Sequence, residues 1–272
     1  MLPRLPLLAL FVFCFSCGKS DHHPDKEPRV NSLKVLTYNI HHGAPPDKAT
    51  DDIQLENIAA VIQKQNPDLV ALQEVDSMTA RAPIDEAKEL ARLTGMHYYF
   101  SKAIAYQGGS YGDAILSKYP ISDQQTLSLP MPDPTGEGRA VGIIRCKIPS
   151  GIEIAFASTH LDIESNREAQ VKALNTLSKN STYPLILAGD LNALPNSTYI
   201  STLKEEFSLS CSANCPLTAP ASKPAKTIDY ILLNPKASEI FHVLSYNAIN
   251  YIYASDHLPL LGYLTVQGQD NQ

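Results

Sequence analysis

Nine side chains that could bind a metal or transfer a proton stand at the ends or starts of predicted β-strands. Carboxylates and amides dominate the set and cysteine is missing from it, which favours a hard cation held through oxygen, Mg²⁺ or Mn²⁺, over zinc. Two histidines, each able to sit beside an acid, favour proton transfer near neutral pH. A metal together with an acid–base imidazole suits attack of water on a phosphate ester. The residues are Asn39, Glu74, His160, Asp162, Asp190, Asn192, Asp229, Asp256 and His257.

The clearest of these positions follows an apolar run that is typical of a buried strand. Residues 185–188 are all hydrophobic and lead directly into Gly-Asp-Leu-Asn at residues 189–192. An ionised aspartate is costly to bury without a partner, so a polar pocket at the rim of a sheet would explain its place. A simple turn is the alternative, because Gly, Asp and Asn are common turn residues. The recurrence of such groups at other strand ends favours the pocket.

The elements that would position these groups are predicted from hydrophobic periodicity and turn residues. Helices are predicted over residues 52–65, 82–93 and 167–179, with Asp51 or Asp52 capping the first. Strands are predicted over residues 33–39, 69–72, 97–100, 114–116, 141–148, 151–158, 183–188, 227–233, 241–246 and 258–266, and loops over residues 107–112, 129–138 and 211–225. Many strands with interspersed helices and no fixed repeat indicate sheets covered by helices, in one domain over residues 32–268.

Chain length and charge restrict the classes of function. With 272 residues and 44% hydrophobic content, the chain can bury a substantial core. The formal charge of −6 provides no bulk positive field for nucleic acid, so phosphate binding must be local or metal-assisted. This charge weakens a DNA-binding function without excluding it.

Residues 1–17 are predicted to be an export signal. Arg4 precedes an apolar run, Leu5–Phe15, that is too short for a membrane span and is typical of a signal-peptide core. Cys17 follows Ser16 as the lipidated cysteine does in a bacterial lipoprotein, although the two positions before Ser16 are unusual. We therefore expect a lipid anchor at Cys17, with simple secretion and a spanning anchor as alternatives. Residues 18–31 would be a flexible tether and residues 269–272 a frayed tail.

The cysteines agree with export. Cys211 and Cys215 are close enough in sequence to pair across a loop in an oxidising compartment. Cys146 lies among strand-like residues and is predicted to be a buried thiol. The sequence holds neither paired CxxC units nor Cys/His spacings of the zinc type, so no metal–thiolate cluster is predicted.

Six segments resemble, in their order along the chain, the endonuclease/exonuclease/phosphatase superfamily, the group that contains DNase I. They are Leu36–Ile40, Leu72–Asp76, Ser158–Asp162, Gly189–Asn192, Ile228–Tyr230 and Ser255–His257. Any one motif is weak, whereas six in this order are specific. The resemblance spans about residues 33–266. It implies a four-layer α/β/β/α sandwich, in which two packed and mostly antiparallel sheets are flanked by helices.

The resemblance also implies a site at one rim of the paired sheets. Glu74 would be the principal ligand of Mg²⁺ or Mn²⁺, with Asn39 and Asp256 near the ion. Asp190 and Asn192 would position water and phosphate. These assignments describe positions more firmly than chemical roles, because the identity of the general base is disputed across the family.

The two histidines receive complementary roles by the same resemblance. His257, oriented by Asp229, would either activate the water or bind a phosphoryl oxygen. His160 would face the phosphate from the other side, as an acid or a stabiliser. The family analogy leaves both alternatives open for each imidazole.

Three further residues, together with Asp162, are assigned to substrate binding: Tyr111, Asp113 and Arg139. Asp113 departs from relatives that have Asn at this position. A carboxylate there would repel phosphate unless it is protonated or paired with a cation, so Asp113 would point away or contact a polar group of the substrate. Four other polar residues are interpreted as turn, surface or core residues: His41, His42, Asp76 and His97.

These observations together predict an exported, monomeric, metal-dependent phosphoesterase that cleaves a phosphodiester by direct attack of water. The acidic surface, the absence of a basic or aromatic stripe that could track a strand and the expected membrane anchor favour a small or lipid-linked phosphate. A secreted nuclease is the alternative enzyme. A catalytically silent lipoprotein that binds a partner through the same fold is the alternative of a different class, and the retained Glu74 and His257 disfavour it.

Overall fold

The computed structural model describes residues 32–163, 165–211 and 214–266, whose strands form two six-stranded sheets. Strands are numbered in chain order. Sheet I has the order β11 (Phe241–Ala248), β12 (Leu260–Val266), β1 (Ser32–Asn39), β2 (Leu69–Ser77), β4 (Gly109–Ser117) and β3 (His97–Tyr106). Sheet II has the order β5 (Ile121–Ser128), β6 (Ala140–Lys147), β7 (Glu153–His160), β8 (Leu185–Asp190), β10 (Asp229–Leu233) and β9 (Ser208–Leu209).

Helices cover the outer faces of both sheets. The helices are α1 (Leu55–Gln65), α2 (Glu86–Thr94), α3 (Arg167–Asn180), α4 (Thr198–Leu203) and α5 (Pro235–Ile240), with a short 3-10 helix at His41–Gly43. Apolar side chains of α1 and α2 pack on sheet I, and those of α3 and α4 pack on sheet II. A third apolar cluster fills the space between the sheets. This arrangement confirms the predicted four-layer α/β/β/α sandwich with mostly antiparallel sheets.

Each sheet has one parallel pair at its centre. β1 pairs with β2, and β7 pairs with β8, whereas the other strand neighbours described by the structure are antiparallel. A helix makes each crossover, α1 in sheet I and α3 in sheet II, as parallel connections require. The carboxyl ends of both pairs, where ligands bind in open α/β sheets, carry the polar residues that end the predicted strands.

The two long helices form for the reason that their periodicity predicts. Leu55, Ile58, Ala59 and Ile62 are buried on one side of α1, and Val171 and Leu174 are buried on α3. The predicted aspartate cap of α1 is wrong, because the helix begins later, after Gln54, which makes no side-chain cap hydrogen bond.

Several predicted boundaries differ because local contacts override the pattern. The predicted start of the second helix near residue 82 is wrong, because Met78 N donates to Ile84 O and closes an irregular loop before Asp85 caps α2. The predicted loop over residues 107–112 is a two-residue turn. Gln107 and Gly108 have φ of 45° and 84°, which suits a tight hairpin and lets β3 and β4 extend on either side.

Three structural elements lack a sequence signal that periodicity can detect. β5 is an edge strand whose side chains are mostly exposed, so it shows no alternation of apolar residues. The helices α4 and α5 have six residues each, which is below the length at which a helical pattern is distinct from chance.

Cysteine pairing follows the prediction where the structure describes it. Cys211 and Cys215 form a disulfide, and Cys146 is a buried free thiol in the apolar layer between the sheets. Within the ranges described, no helix combines the length and apolar character needed to cross a membrane. The predicted signal segment, tether and tail, including Cys17, lie outside the described residues.

Glu86, at the start of α2, is a buried acid with one hydrogen-bonded oxygen. Its Oε2 accepts the backbone N–H of Asp76 at 2.7 Å, while Oε1 has no hydrogen-bond partner among the described residues. Burial raises the pKa of Glu86 to about 8, although the Asp76 amide opposes the shift. Because the folded state binds this proton more tightly than the unfolded state does, the associated stability is lost as pH rises from about 4.5 to 8.

We therefore expect Glu86→Gln to raise the thermal unfolding midpoint at pH 8.5 by roughly 3–8 °C and to change it little at pH 5. At the lower pH both side chains are neutral, and at the higher pH only the glutamate carries a buried charge. Differential scanning calorimetry across this range measures the effect. The matched control is Glu56→Gln, the same change at an exposed position of α1. An equal shift at both pH values for Glu86→Gln would contradict the buried-charge explanation.

Candidate active site

Polar side chains from both sheets meet at the carboxyl ends of the two parallel pairs. Asn39 ends β1, Glu74 lies in β2, His160 ends β7 and Asp190 ends β8. Asn39 Nδ2 donates to Glu74 Oε1 at 2.9 Å and to Asp190 Oδ2 at 3.3 Å. His160 Nε2 lies 3.5 Å from the same Asp190 oxygen. Four residues far apart in sequence therefore form one cluster.

Asp190 occupies the centre of this cluster and is almost completely buried. Its Oδ2 lies 3.8 Å from His257 Nε2, in addition to the contacts with Asn39 and His160, and its Oδ1 accepts the backbone N–H of Asn192 at 2.8 Å. Burial and the nearby negative charge of Asp229 raise the pKa of Asp190 to about 7, while His257 and the hydrogen bonds oppose the shift. A carboxyl group with this pKa can exchange a proton near neutral pH.

His257 and Asp229 form a buried hydrogen-bonded pair beside Asp190. Strand register places Asp229 opposite Asp190 across the antiparallel pair β8–β10. His257 Nδ1 donates to Asp229 Oδ2 at 3.0 Å, which directs Nε2 toward the centre of the site. Burial lowers the pKa of His257, but the charges of Asp229, Asp190 and Asp256 outweigh it and raise the pKa to about 10. The imidazole is therefore protonated at neutral pH.

His160 is the neutral imidazole of the site. Asn192 Nδ2 donates to Leu161 O at 2.9 Å and lies 3.0 Å from His160 Nε2. Because the bond to Leu161 fixes the amide nitrogen as a donor, Nε2 of His160 accepts and the proton resides on Nδ1. Burial, followed by the positive charges of Arg139 and His257, keeps the pKa of His160 well below its usual range. Nδ1 lacks a hydrogen-bond partner in the part of the chain that the structure describes.

A β-bulge directs Glu74 into the site. The β2–β4 register shifts between Leu72 and Val75, and Glu74 adopts φ of 57°, in the left-handed region that is uncommon for residues other than glycine. Burial raises the pKa of Glu74 and repulsion from Asp256 adds to the shift, while the hydrogen bond from Asn39 opposes it. The carboxylates of Glu74 and Asp256 therefore interact electrostatically.

Asn39 is oriented differently from a direct metal ligand. Its Oδ1 accepts the backbone N–H of His41 at 3.1 Å, so its Nδ2 faces Glu74 and Asp190. The amide thus presents hydrogen-bond donors to the two carboxylates. Asn39 bridges the two acids across the sheets, and its predicted place near the ion stays a prediction.

The donor set fits a hard divalent cation. Glu74 and Asp256 offer carboxylate oxygens, and Asp190, Asp229 and His257 offer ligand atoms within 4.8 Å of one another. The hydrogen bond between His257 Nδ1 and Asp229 leaves Nε2 of His257 facing Asp190. Such a concentration of buried acids is stabilised by a bound cation.

Tyr111 and Asp113 lie in β4 of sheet I, and Arg139, directly before β6 of sheet II, interacts electrostatically with both. Arg139 Nη1 contacts Glu137 Oε1 at 3.0 Å, and its Nε has no hydrogen-bond partner within the described ranges. Asp113 is buried. Burial raises its pKa well above the usual range and Asp190 and Glu74 add to the shift, although Arg139 opposes it. Because burial favours the neutral form of Asp113, its carboxyl group is compatible with a nearby phosphate. Burial also raises the pKa of Tyr111.

Asp162 holds a loop and does not face the cluster. Its Oδ1 accepts Ile163 N at 2.7 Å and its Oδ2 accepts Asn166 Nδ2 at 2.8 Å, while its own N–H donates to Gln170 Oε1. Both carboxylate oxygens are thus engaged with the segment that starts α3. In this geometry Asp162 holds the segment that follows β7, and its predicted contact with substrate stays a prediction.

Three polar residues that were not among the predicted site residues hold the cluster in place through hydrogen bonds. Gln73 Nε2 donates to Ser158 Oγ at 3.1 Å and thereby joins the two sheets beneath Asn39 and Asp190. Ser255 Oγ donates to Asn39 O at 2.7 Å and accepts His257 N. Gln73 and Ser255 directly precede the predicted site residues Glu74 and Asp256, and that adjacency is the one signal that could have identified them.

Comparison with known proteins agrees with the fold described above. Residues 36–257 match the Endonuclease/Exonuclease/phosphatase family. An uncharacterized protein of Escherichia coli K12, YbhP, is 28% identical over 185 residues, which covers 62% of this chain and 70% of that protein.

Two solved structures illustrate the similarity of fold. The endonuclease/exonuclease/phosphatase from Beutenbergia cavernae has a TM-score of 0.69 at 22% identity, covering 88% of this chain and 72% of that one. The mannosyl-6-phosphatase Bt3783 from Bacteroides thetaiotaomicron has a TM-score of 0.68 at 20% identity, covering 86% of this chain and 99% of that one. From the match over residues 36–257, the chain belongs to the endonuclease/exonuclease/phosphatase family.

Proposed function

We propose that this protein hydrolyses a phosphodiester in a small or lipid-linked substrate, by direct attack of water and with Mg²⁺ or Mn²⁺ as cofactor. One observation carries the proposal: a single oxygen of Asp190 lies within 3.8 Å of Asn39, His160 and His257, which come from three separate segments. Family membership supports a phosphoesterase, because the family's members hydrolyse phosphate esters.

The two ionisable groups nearest the centre suggest a division of roles. His257 holds its proton at neutral pH and presents Nε2–H to the centre, which suits a donor to a phosphoryl oxygen better than a base. Asp190, with a pKa near neutrality, suits removal of a proton from the attacking water. Asp229 orients His257, and Asn192 holds His160 neutral beside the same centre.

The proposed cation would be held by Glu74 and Asp256. When bound, it would neutralise negative charge on the phosphoryl oxygens. Arg139, which is paired with Glu137, would contribute a further positive charge. The phosphate of the substrate would thus meet hydrogen-bond donors and cations at the oxygens on which negative charge develops in the transition state.

A small substrate fits the charge of the chain better than nucleic acid does. The formal charge is −6, and a nucleic-acid site depends on cations that neutralise many phosphates. The name of the structural neighbour Bt3783 describes a phosphatase acting on a sugar phosphate, which is also a small molecule. A nuclease remains the alternative that plasmid nicking at low salt would reveal.

We expect turnover of bis-p-nitrophenyl phosphate with Mg²⁺ or Mn²⁺ and none in excess EDTA. Glu74→Gln removes a charged oxygen from the proposed cation site, so kcat/KM should fall at least about 100-fold. Mn²⁺ binding followed by electron paramagnetic resonance should weaken in the same variant, which gives a readout independent of turnover. Glu56→Gln, on the exposed face of α1, is the matched control. No activity of the wild-type protein on any phosphate ester would favour the silent binding protein.

We expect Asp229→Asn to lower the pKa of His257 from about 10 toward the ordinary value of about 6.5. Removal of the carboxylate charge favours the neutral imidazole, so His257 would lose its proton within the neutral range. NMR titration of the histidine Cε1 protons in the metal-free protein measures this directly. Wild-type His257 should stay protonated at pH 9. An unchanged titration in Asp229→Asn would contradict the assigned pairing.

We also propose export and a lipid anchor at Cys17, with the catalytic domain acting as a monomer. The Cys211–Cys215 disulfide supports an oxidising compartment. In the native host, incorporation of radiolabelled fatty acid should be lost in Cys17→Ser and retained in Cys14→Ser, the matched control within the same segment. Unchanged labelling of Cys17→Ser would reject the anchor.

A further inference from the structure

Residues 129–139 connect β5 to β6 at the rim that carries the catalytic cluster, and we call this loop the strap. Leu129 N donates to Arg139 O at 2.8 Å and closes the base of the strap. In β6, Val141 lies opposite the residue that precedes His160, so the strap returns to the sheet beside the cluster. Arg139 is therefore delivered to the site by the carboxyl end of the strap.

The strap makes few hydrogen bonds with itself. Its three prolines lack an N–H donor, and they are Pro130, Pro132 and Pro134. Among the described residues, its backbone bonds to itself only at the base and from Gly136 N to Asp133 O at 3.3 Å. A loop fixes its conformation at an entropic cost that contacts must offset. The position of the strap thus depends on contacts with other elements.

Asn166 makes the principal contact with the strap. Its Oδ1 accepts Asp133 N at 2.8 Å, and its Nδ2 donates to Asp133 O at 3.0 Å and to Asp162 Oδ2 at 2.8 Å. The residue is completely buried. It occupies the N-cap position of α3, where an asparagine side chain normally accepts from a free N–H of its own helix, yet within the described residues it makes no such bond. The amide is directed to the strap instead.

The side chain of Asp133 strengthens this contact. Its Oδ2 accepts Ser165 Oγ at 2.6 Å, and its Oδ1 accepts Thr135 N at 2.9 Å and Thr135 Oγ1 at 2.6 Å. Hydrogen bonds from Ser165 and Thr135 lower the pKa of Asp133 to about 2. The backbone and the side chain of one strap residue are thus both bonded to the segment that begins α3.

Two close approaches hold the next part of the strap against both sheets. A Cβ atom at Gly136 would overlap Asn166 Nδ2 and Asp162 Oδ2. A Cβ atom at Gly138 would lie 2.9 Å from Cγ2 of Ile104 in β3. The strap therefore extends from the segment before α3, on sheet II, to the edge strand of sheet I.

Glu137 and Arg139 lie on this supported part of the strap. Glu137 Oε1 contacts Arg139 Nη1 at 3.0 Å, and Arg139 is only 6% exposed. The guanidinium charge acts on His160 and on Asp113, which belong to different sheets. A displacement of the strap would move this charge relative to the cluster, and small misplacements of a charged group at a reacting centre are costly.

We infer that Asn166 is a positioning residue that fixes the strap and thereby holds Arg139 beside the phosphoryl group of the substrate. The inference rests on the proposed phosphoesterase function and adds a residue to its machinery. The amide of Asn166 is fully engaged with Asp133 and Asp162, so the residue acts through Arg139 and not on the substrate.

A double-mutant cycle tests the inference with bis-p-nitrophenyl phosphate and Mg²⁺. Arg139→Ala and Asn166→Ala should each lower kcat/KM at least about 10-fold. The double variant should lie within about threefold of the weaker single variant, because both changes remove the same contribution. Losses that multiply in the double variant would mean that Asn166 acts independently of Arg139, and they would overturn the inference.

Asn175→Ala is the matched control. Asn175 is also a buried asparagine of α3, and its Nδ2 donates to Thr202 O of α4 at 2.7 Å, away from the strap. The substitution should lower stability but change kcat/KM less than about threefold, and its effect should multiply with that of Arg139→Ala. A loss of activity equal to that of Asn166→Ala would assign the effect to general destabilisation and contradict the inference.

A second readout separates failure of the inference from failure of the proposed function. Hydrogen–deuterium exchange over residues 129–139 should accelerate in Asn166→Ala and not in Asn175→Ala. NMR titration with inorganic phosphate in EDTA should show binding that weakens at least about threefold in both Arg139→Ala and Asn166→Ala, even if no ester is hydrolysed. Faster exchange with unchanged phosphate binding and turnover would overturn the inference and leave the phosphoesterase function intact. Absence of both binding and hydrolysis in the wild type would reject the two together.

Gly136→Ala replaces Asn166→Ala if that variant does not fold. The added Cβ atom would push the strap away from Asn166 and Asp162 without removing a side chain from the core. We expect the same loss of kcat/KM and the same lack of additivity with Arg139→Ala. Full activity of Gly136→Ala with accelerated exchange over the strap would overturn the inference.

Discussion

The buried carboxylate of Asp190 is the constraint on which the arrangement of the two sheets depends. An acid that is 1% exposed is tolerable only if neighbouring groups stabilise it. Those groups are contributed by both sheets: Asn39 ends a strand of sheet I, while His160 ends a strand of sheet II. The sheets must therefore keep their mutual position for the acid to remain satisfied, and the Gln73–Ser158 hydrogen bond beneath it reinforces that position.

The same crowding of acids separates the properties of the two imidazoles. His257 lies between Asp229 and Asp190, so its positive form is favoured. Burial, followed by the positive charges of Arg139 and His257, favours the neutral form of His160, although Asp190 lies 3.5 Å from its Nε2. Two residues of one type, only a few ångströms from a shared carboxylate oxygen, can thus perform different tasks. The difference arises from the burial of each ring and from the charges that the fold places beside it.

The sequence predicts those residues of the site that end an apolar strand. Asn39, Glu74 and Asp190 each follow a run that would otherwise remain buried, and parallel pairing brings such ends to one rim. Sequence could not predict that His41 N–H occupies the amide oxygen of Asn39, because this depends on a left-handed turn with no periodic signal. Nor could it show that both oxygens of Asp162 serve the loop before α3, since Asn166 and Ile163 become its partners only after folding.

The larger part of the fold follows from hydrophobic patterning. The elements that were not predicted share one cause, because none of them has a distinct pattern of its own. The long helices and most strands have a buried face whose spacing is visible in the chain. β5 exposes most of its side chains, so solvent contact removes the alternation that would have indicated it. Short elements such as α5 are defined by their neighbours, and a segment of six residues carries too little pattern of its own.

The left-handed backbone at Glu74 and Asn192 has a consequence for laboratory evolution. Their φ values, 57° and 48°, are adopted most easily by glycine, and at Glu74 the local backbone preference disfavours the side chain that the site requires. A library of variants screened for heat resistance alone would be expected to accumulate glycine there. Such a screen would enrich robust but inert proteins, so any thermostabilisation of this scaffold has to select for turnover at the same time.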